Sequence, residues 1–162
     1  MKRVLQFLSR TDMPAGTYVW KAALISLIPS LIISIVVNLI LPGKGPSFQQ
    51  MPAIVMILGV VVFSPWVETL LMWPILWVVK RFIRTTWGVA LVSAVIWGLL
   101  HSLAAPAWGF GVLWPFFVFA VCFLEWEKKS TGRAIVVTAS VHMGQNLLPA
   151  LAVLLTRSPA PL

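Results

Sequence analysis

Residues 52–79 read PAIVMILGVVVFSPWVETLLMWPILWVV, an apolar stretch in which Glu68 is the only charged side chain. A helix that crosses the hydrocarbon core of a bilayer needs about 20 such residues, so this stretch can span a membrane. It is too long for a straight span, and Pro65 and Pro74 predict a kink. A short re-entrant piece followed by a helix is the alternative. A carboxylate at membrane depth is costly, which predicts that Glu68 faces the interior of a helix bundle.

Four further apolar segments flank this one, at about 19–41, 87–107, 110–126 and 134–155. The segment 110–126 is short and follows a Trp-Gly-Phe-Gly sequence that we interpret as a turn. The chain is 60% hydrophobic and only 10% charged, against about 25% charged in a soluble domain. We therefore predict an all-α fold, a polytopic membrane helix bundle with about five transmembrane helices.

The basic residues predict the orientation, because short cytoplasmic loops carry an excess of Lys and Arg. With five spans, ten basic residues fall on one side: Lys2, Arg3, Arg10, Lys21, Lys80, Arg81, Arg84, Lys128, Lys129 and Arg133. Only Lys44 and Arg157 fall on the other side. The N-terminus is therefore expected to be cytoplasmic. The same placement explains the net charge of +8 by membrane topology and argues against nucleic acid as a partner.

The domain organisation follows from the spans. We expect a cytoplasmic N-terminal flank at 1–18, one membrane-embedded helical domain at 19–156 and a short, frayed tail at 157–162. The first span has no small-residue cleavage site next to it and is interpreted as retained. The expected location is the lipid bilayer of a bacterial inner (cytoplasmic) membrane.

Polar side chains at a common depth form the candidate site. At about 1.5 Å of rise per residue, Glu68, His101, His142 and Asn146 lie roughly 14–21 Å from the cytoplasmic edge of three helices. Any one of them alone is more often a helix–helix hydrogen bond. Because the chain has only two histidines and Glu68 is the only acid in mid-span, the four together favour a functional site. Their shared depth predicts that they surround one cavity.

Other polar residues are given structural interpretations. Asn38 is expected to be a helix cap or an interface contact, because none of the other candidate site residues lies at its depth. Glu125 and Glu127 lie beside two lysines and are interpreted as a solvated loop. Cys122 is interpreted as a packing residue, since one cysteine cannot form a disulfide within the chain.

Three motifs in order resemble those of the CAAX-protease and bacteriocin-processing (CPBP, or Abi) family, which carries EExxxR, FxxxH and HxxxN/D on membrane helices. The resemblance covers about residues 60–150. The segment 142–146, His-Met-Gly-Gln-Asn, matches the third motif fully. The segment 97–101, Trp-Gly-Leu-Leu-His, matches the second with Trp97 in place of Phe.

The first motif departs from the family pattern. Glu68 aligns with the first glutamate, while Thr69 stands for the second and Trp73 for the arginine. Both charges of a pair are missing together, and replacing both partners of a buried pair can be nearly neutral. We interpret the change as an ion pair exchanged for apolar packing. The alternative is that the chain is a degenerate, inactive member of that family.

The resemblance implies a glutamate-dependent intramembrane endopeptidase without a cofactor, acting on a membrane-anchored peptide or protein. In that mechanism Glu68 takes a proton from the attacking water and His101 positions the water. His142 and Asn146 donate hydrogen bonds to the developing oxyanion, and Trp97 covers His101.

Two other functions use the same residues. Glu68, His101 and His142 have the composition of a catalytic zinc triad, although no HExxH helix is present. Alternatively, the chain is a catalytically inactive membrane partner protein whose polar residues pair across helices.

Overall fold

The computed structural model describes residues 6–156, and in that range the fold consists of helices without any β-strand. Five of the helices are long and apolar enough to cross a membrane. They are α1 (Ala15–Ile40), α2 (Ala53–Val79), α3 (Thr86–Ala104), α4 (Trp108–Glu127) and α5 (Thr131–Leu155). The predicted all-α bundle of five spans is confirmed, and these are the features of an integral membrane protein. The predictions for Lys2, Arg3 and the tail 157–162 lie outside the described residues.

Helix α2 is continuous, so the re-entrant alternative is wrong. Its residues Met56–Phe63 form a π-helix that leads into a regular α-helix from Ser64. Pro65 explains the wider turns, because a proline ring clashes with the carbonyl four residues before it and has no N–H to donate. The N–H of Ser64 reaches back five residues to the carbonyl of Gly59.

Helix α4 is the central helix, and twelve of its residues are buried. It begins at Trp108, so the interpretation of Trp-Gly-Phe-Gly as a turn is wrong. The glycines serve packing instead. A Cβ on Gly109 would overlap the backbone of Gly98 in α3, and a Cβ on Gly111 would come within 2.8 Å of the hydroxyl of Ser34 in α1. Their absence of side chains lets three helices approach closely.

A proline in α1 leaves a helical carbonyl without its usual backbone donor. Pro29 lies inside α1 and cannot donate to the carbonyl of Ile25, four residues earlier. The indole Nε1 of Trp114 in α4 donates to that carbonyl at 2.8 Å. A side chain from a neighbouring helix thus restores a backbone hydrogen bond, as membrane helices with proline require.

Contacts between loops define the two ends of the bundle. At one end, Lys80 pairs with Glu127 at 2.6 Å, and the Lys129 ammonium donates to the carbonyl of Thr11. These contacts join the N-terminal flank, the α2–α3 loop and the end of α4. The described basic residues other than Lys44 lie in these segments, in the α4–α5 loop or in the first two turns of α1 and α5. We call this end of the bundle the basic end.

The opposite end joins the α1–α2 loop to the α3–α4 turn. The N–H of Ala107 donates to the carbonyl of Lys44 at 3.0 Å, and the rings of Phe48 and Trp108 meet edge to face at 5.7 Å. We call it the neutral end. The segregation of charge is a property of the fold, and the assignment of the basic end to the cytoplasm stays a prediction.

The acidic pair near the basic end was partly misinterpreted. Glu125 and Glu127 belong to the last turns of α4 and not to a loop. Glu125 is only 6% exposed and its carboxylate pairs with Lys128 at 2.7 Å. A long lysine side chain reaches back over the helix end, so an acid that is adjacent to basic residues in sequence need not be solvated.

Candidate functional site

A cavity of about 380 Å³ opens between the helices and extends to the neutral end of the bundle. Its wall includes all four predicted site residues, which are Glu68, His101, His142 and Asn146. The prediction that these residues surround one cavity is confirmed. Their roles in a reaction stay predictions.

Glu68 lies in the cavity wall with one carboxylate oxygen held by a serine and the other one buried without a hydrogen bond. Ser64, one turn earlier in α2, donates its hydroxyl hydrogen to Oε1 of Glu68. Oε2 of Glu68 is buried and receives no hydrogen bond from any protein group in residues 6–156. A carboxylate accepts through both oxygens, so Oε2 remains free to accept a proton or a hydrogen bond from a bound molecule.

His142 lies opposite this free oxygen. Its Nε2 is 3.9 Å from Oε2 of Glu68, which is too long for a direct hydrogen bond. The imidazole is only 5% exposed, and it stacks on Phe119 with ring centroids 4.3 Å apart. The stacking fixes the ring orientation, so the gap between the two side chains is a feature of the packing.

His101 has a defined tautomer from its backbone contact. Its Nδ1 lies 2.8 Å from the carbonyl of Trp97, one turn earlier in α3. A carbonyl only accepts, so Nδ1 carries a proton and Nε2 of the neutral ring is an acceptor. Trp108 closes one side of the ring edge to face at 4.7 Å, and Phe116 lies 5.1 Å away.

The predicted cover of His101 by Trp97 holds only in part. Trp97 is buried, and its ring stacks on Phe116 with centroids 4.6 Å apart. The ring centroids of Trp97 and His101 are 6.0 Å apart at a tilt. The nearest aromatic contact of His101 is therefore Trp108. The sequence analysis did not assign Trp108 to the site, because it placed this residue in a turn.

Asn146 has a structural contact that sequence reasoning missed. Its side-chain Nδ2 donates to the carbonyl of Val60 in α2 at 2.9 Å. In the π-helical register, the N–H that would reach this carbonyl belongs to Pro65, which has none. The N–H of Ser64 is directed to Gly59 instead. Asn146 thus replaces a missing backbone donor, and one of its two N–H groups remains for the cavity.

Further polar residues line the same cavity. The interpretation of Asn38 as isolated is wrong, because Asn38 lies in the cavity wall with Ser30, Ser34 and Gln145. The sequence carried a usable signal, since Ser30, Ser34 and Asn38 are spaced four apart in a mostly apolar span and share a helix face. Ser64 could have been found in the same way from its spacing to Glu68.

The departures from the first family motif occupy different environments. Thr69 is fully buried, and its hydroxyl has no hydrogen-bond partner among the described residues. Trp73 is 44% exposed on the outside of the bundle. Only the position of Thr69 is an interior one, and the interpretation of the two changes as an exchanged ion pair stays a prediction.

The side chains of Glu68, His101 and His142 are of the types that bind zinc. In residues 6–156, no three His, Cys, Asp or Glu side chains are grouped so that they could hold a metal ion. The side-chain arrangement therefore does not fit a zinc triad of Glu68, His101 and His142.

In comparisons with known proteins, no family model, no curated protein and no solved structure matches the chain.

Proposed function

We propose that the protein is an intramembrane endopeptidase of the CPBP type, which hydrolyses a peptide bond of a membrane-associated peptide or protein with a Glu68-activated water. The observation that carries the proposal is the free Oε2 of Glu68, buried beside a cavity and 3.9 Å from Nε2 of His142. Ser64 holds the other oxygen, which orients the free one.

The chemistry follows from the donors and acceptors at this point. A water between Glu68 and the two histidines gives its proton to Oε2 of Glu68 while its oxygen attacks the scissile carbonyl. The acceptor Nε2 of His101 orients the second hydrogen of the water. His142 and the remaining N–H of Asn146 supply hydrogen bonds to the developing oxyanion. The oxyanion then collapses to a carboxyl group, the C–N bond breaks, and the proton held by Glu68 passes to the leaving amine.

The first prediction is that Glu68→Gln abolishes cleavage. An amide of nearly the same shape cannot accept the proton, and loss of a general base costs about 10²–10⁴-fold in rate. The measurement is a comparison of new peptide termini in membranes of cells that express the wild type or the variant. The matched control is Glu127→Gln, the same chemical change at the basic end, which is expected to cleave as the wild type does.

The result also separates the two alternatives. Termini that persist undiminished with Glu68→Gln, or that are absent from wild-type cells as well, contradict the proposal and favour a non-catalytic partner protein. Activity lost on strong chelation and restored by zinc, with stoichiometric metal in the purified protein, would make Glu68 a ligand instead of a base. We expect cleavage to survive chelation.

A further inference from the structure

A ladder of polar side chains runs along α1 into the cavity. Ser30, Ser34 and Asn38 all line the wall and are spaced four residues apart, so neighbouring rungs are about 6 Å apart along the helix. Two residues of an extended peptide span about 6.6 Å. Backbone groups on one edge of an extended chain would therefore meet successive rungs of the ladder with little mismatch.

The inner end of the ladder carries an unused acceptor. Gln145 is only 8% exposed and lines the cavity. Its Nε2 donates to the hydroxyl of Ser30 at 2.8 Å, while its Oε1 receives no hydrogen bond from the described residues. A buried acceptor without a donor is unfavourable. A peptide N–H at this position would satisfy it.

The rest of the wall indicates which side chains such a peptide could carry. Apart from Glu68 and the two histidines, the lining residues include no charged group. Apolar side chains from α2, α4 and α5 face the ladder, among them Met56, Val60, Val112 and Val153. A buried charge without a partner is strongly disfavoured, so the cavity selects uncharged residues.

The direction of entry follows from the loops. Gly45 and Pro46 of the α1–α2 loop and Trp108 at the start of α4 belong to the wall, and all lie at the neutral end. The ladder begins there with Asn38 and ends beside Gln145, three residues from His142 in α5. An occupant that follows the ladder from the neutral end arrives at Glu68.

From these features we infer that the cavity binds an extended, uncharged peptide segment that enters from the neutral end, with its backbone along Ser30, Ser34 and Asn38 and an N–H on Oε1 of Gln145. The inference rests on the proposed function, because it makes the bound segment the substrate of that site. It adds the substrate class, the binding residues and the side of entry.

The test measures binding apart from cleavage. In a Glu68→Gln background, cysteine is introduced as Ser34→Cys or Asn38→Cys, with Ile35→Cys and Leu39→Cys as matched controls. The controls lie at the same depth on α1 but outside the cavity wall and are 62% and 76% exposed. The probe is a synthetic ten-residue peptide of Ala and Leu with one Cys, added to membranes under mild oxidation. Cys122 is fully buried and serves as the background.

We expect at least tenfold more disulfide-linked peptide at positions 34 and 38 than at 35 and 39, with saturation. We also expect less than a tenth as much with a version of the peptide that carries Lys and Asp. The linkage should form when peptide is added on the neutral-end side, which Lys44→Cys labelling identifies. Equal linkage at all four positions, equal linkage by the charged peptide, or equal labelling by a thiol-bearing alkyl chain would overturn the inference.

Failure of this inference can be told from failure of the proposed function. Selective linkage without any Glu68-dependent cleavage would support peptide binding and contradict the proposed protease activity. If cleavage depends on Glu68 but Ser34→Val and Asn38→Leu leave KM unchanged, the proposed protease activity is supported and peptide binding along the ladder is contradicted. If the protease proposal and the peptide-binding inference are both correct, each of these two variants raises KM several-fold and leaves kcat unchanged. The rise follows because a net hydrogen bond contributes about 0.5–1.5 kcal/mol.

Discussion

Three side chains around the cavity share one arrangement, in which one polar atom is held by the protein and another is left for a bound molecule. Ser64 holds Oε1 of Glu68, the carbonyl of Trp97 holds Nδ1 of His101, and Ser30 holds Nε2 of Gln145. Two of these contacts come from serines that the sequence analysis did not assign to the site, and the third comes from the backbone of Trp97. Groups fixed in this way lose little freedom when a substrate binds, which is the basis of preorganised catalysis.

At the same scale, Asn146 yields a prediction that separates a structural role from a catalytic one. Asn146→Ala leaves the carbonyl of Val60 without a donor, which should cost about 1–3 kcal/mol of stability, measured by thermal unfolding of the purified protein. Adding Pro65→Ala supplies a backbone N–H near that carbonyl and should recover most of the loss. Loss of cleavage with unchanged stability would instead assign Asn146 to the oxyanion alone.

Removal of an amide elsewhere provides the control. Asn38→Ala takes away a side chain of the same type that is exposed and has no helical carbonyl to satisfy, so its unfolding midpoint should stay close to that of the wild type. A similar destabilisation by both variants would mean that the contact between Asn146 and Val60 contributes nothing specific.

At the scale of the helices, the spans could be predicted because about 20 apolar residues in a row have few other uses. The starting residue of α4 could not be predicted from local signals. Gly109 and Gly111 satisfy the pattern of a turn, and only their closeness to Gly98 and Ser34 in other helices gives the reason for them. The π-helical part of α2 was missed for the same reason, since Pro65 predicts a disturbance but not its form.

The close approach of α3 and α4 predicts the effect of adding one methyl group. Gly109→Ala would place a Cβ against the backbone of Gly98, and backbone cannot move aside as a flexible side chain does. Overpacking costs about 1–3 kcal/mol and more where the obstacle is rigid, so the unfolding midpoint should fall and cleavage should decrease as His101 shifts.

The control for this prediction is Gly132→Ala. A Cβ on Gly132 has no atom within 4 Å, and alanine is favoured over glycine in a helix by about 1 kcal/mol. That variant should be as stable as the wild type or more so. If Gly109→Ala is equally well tolerated, the two helices do not depend on this contact.

On the scale of the whole molecule, the shared depth of Glu68, His101, His142 and Asn146 was enough to predict that they line one cavity. Depth along a helix is readable from sequence because the rise per residue is constant. The direction in which each helix face points within the bundle is not readable from sequence, which is why Asn38 and Gln145 were not assigned to the cavity. Their inclusion depends on how α1 and α5 rotate against α4, a property of packing between distant segments.

The two ends of the bundle carry the last prediction, which concerns the membrane. The basic end gathers the described Lys and Arg residues apart from Lys44, and an excess of such residues marks the cytoplasmic side. A membrane-impermeant maleimide added outside intact cells should therefore label Lys44→Cys and should label Arg81→Cys only after the membrane is opened. Both side chains are exposed, so access depends on the side and not on burial. The parent protein with buried Cys122 controls for background. The reverse pattern would place the cavity mouth at the cytoplasm, and the proposed peptide would then have to come from inside the cell.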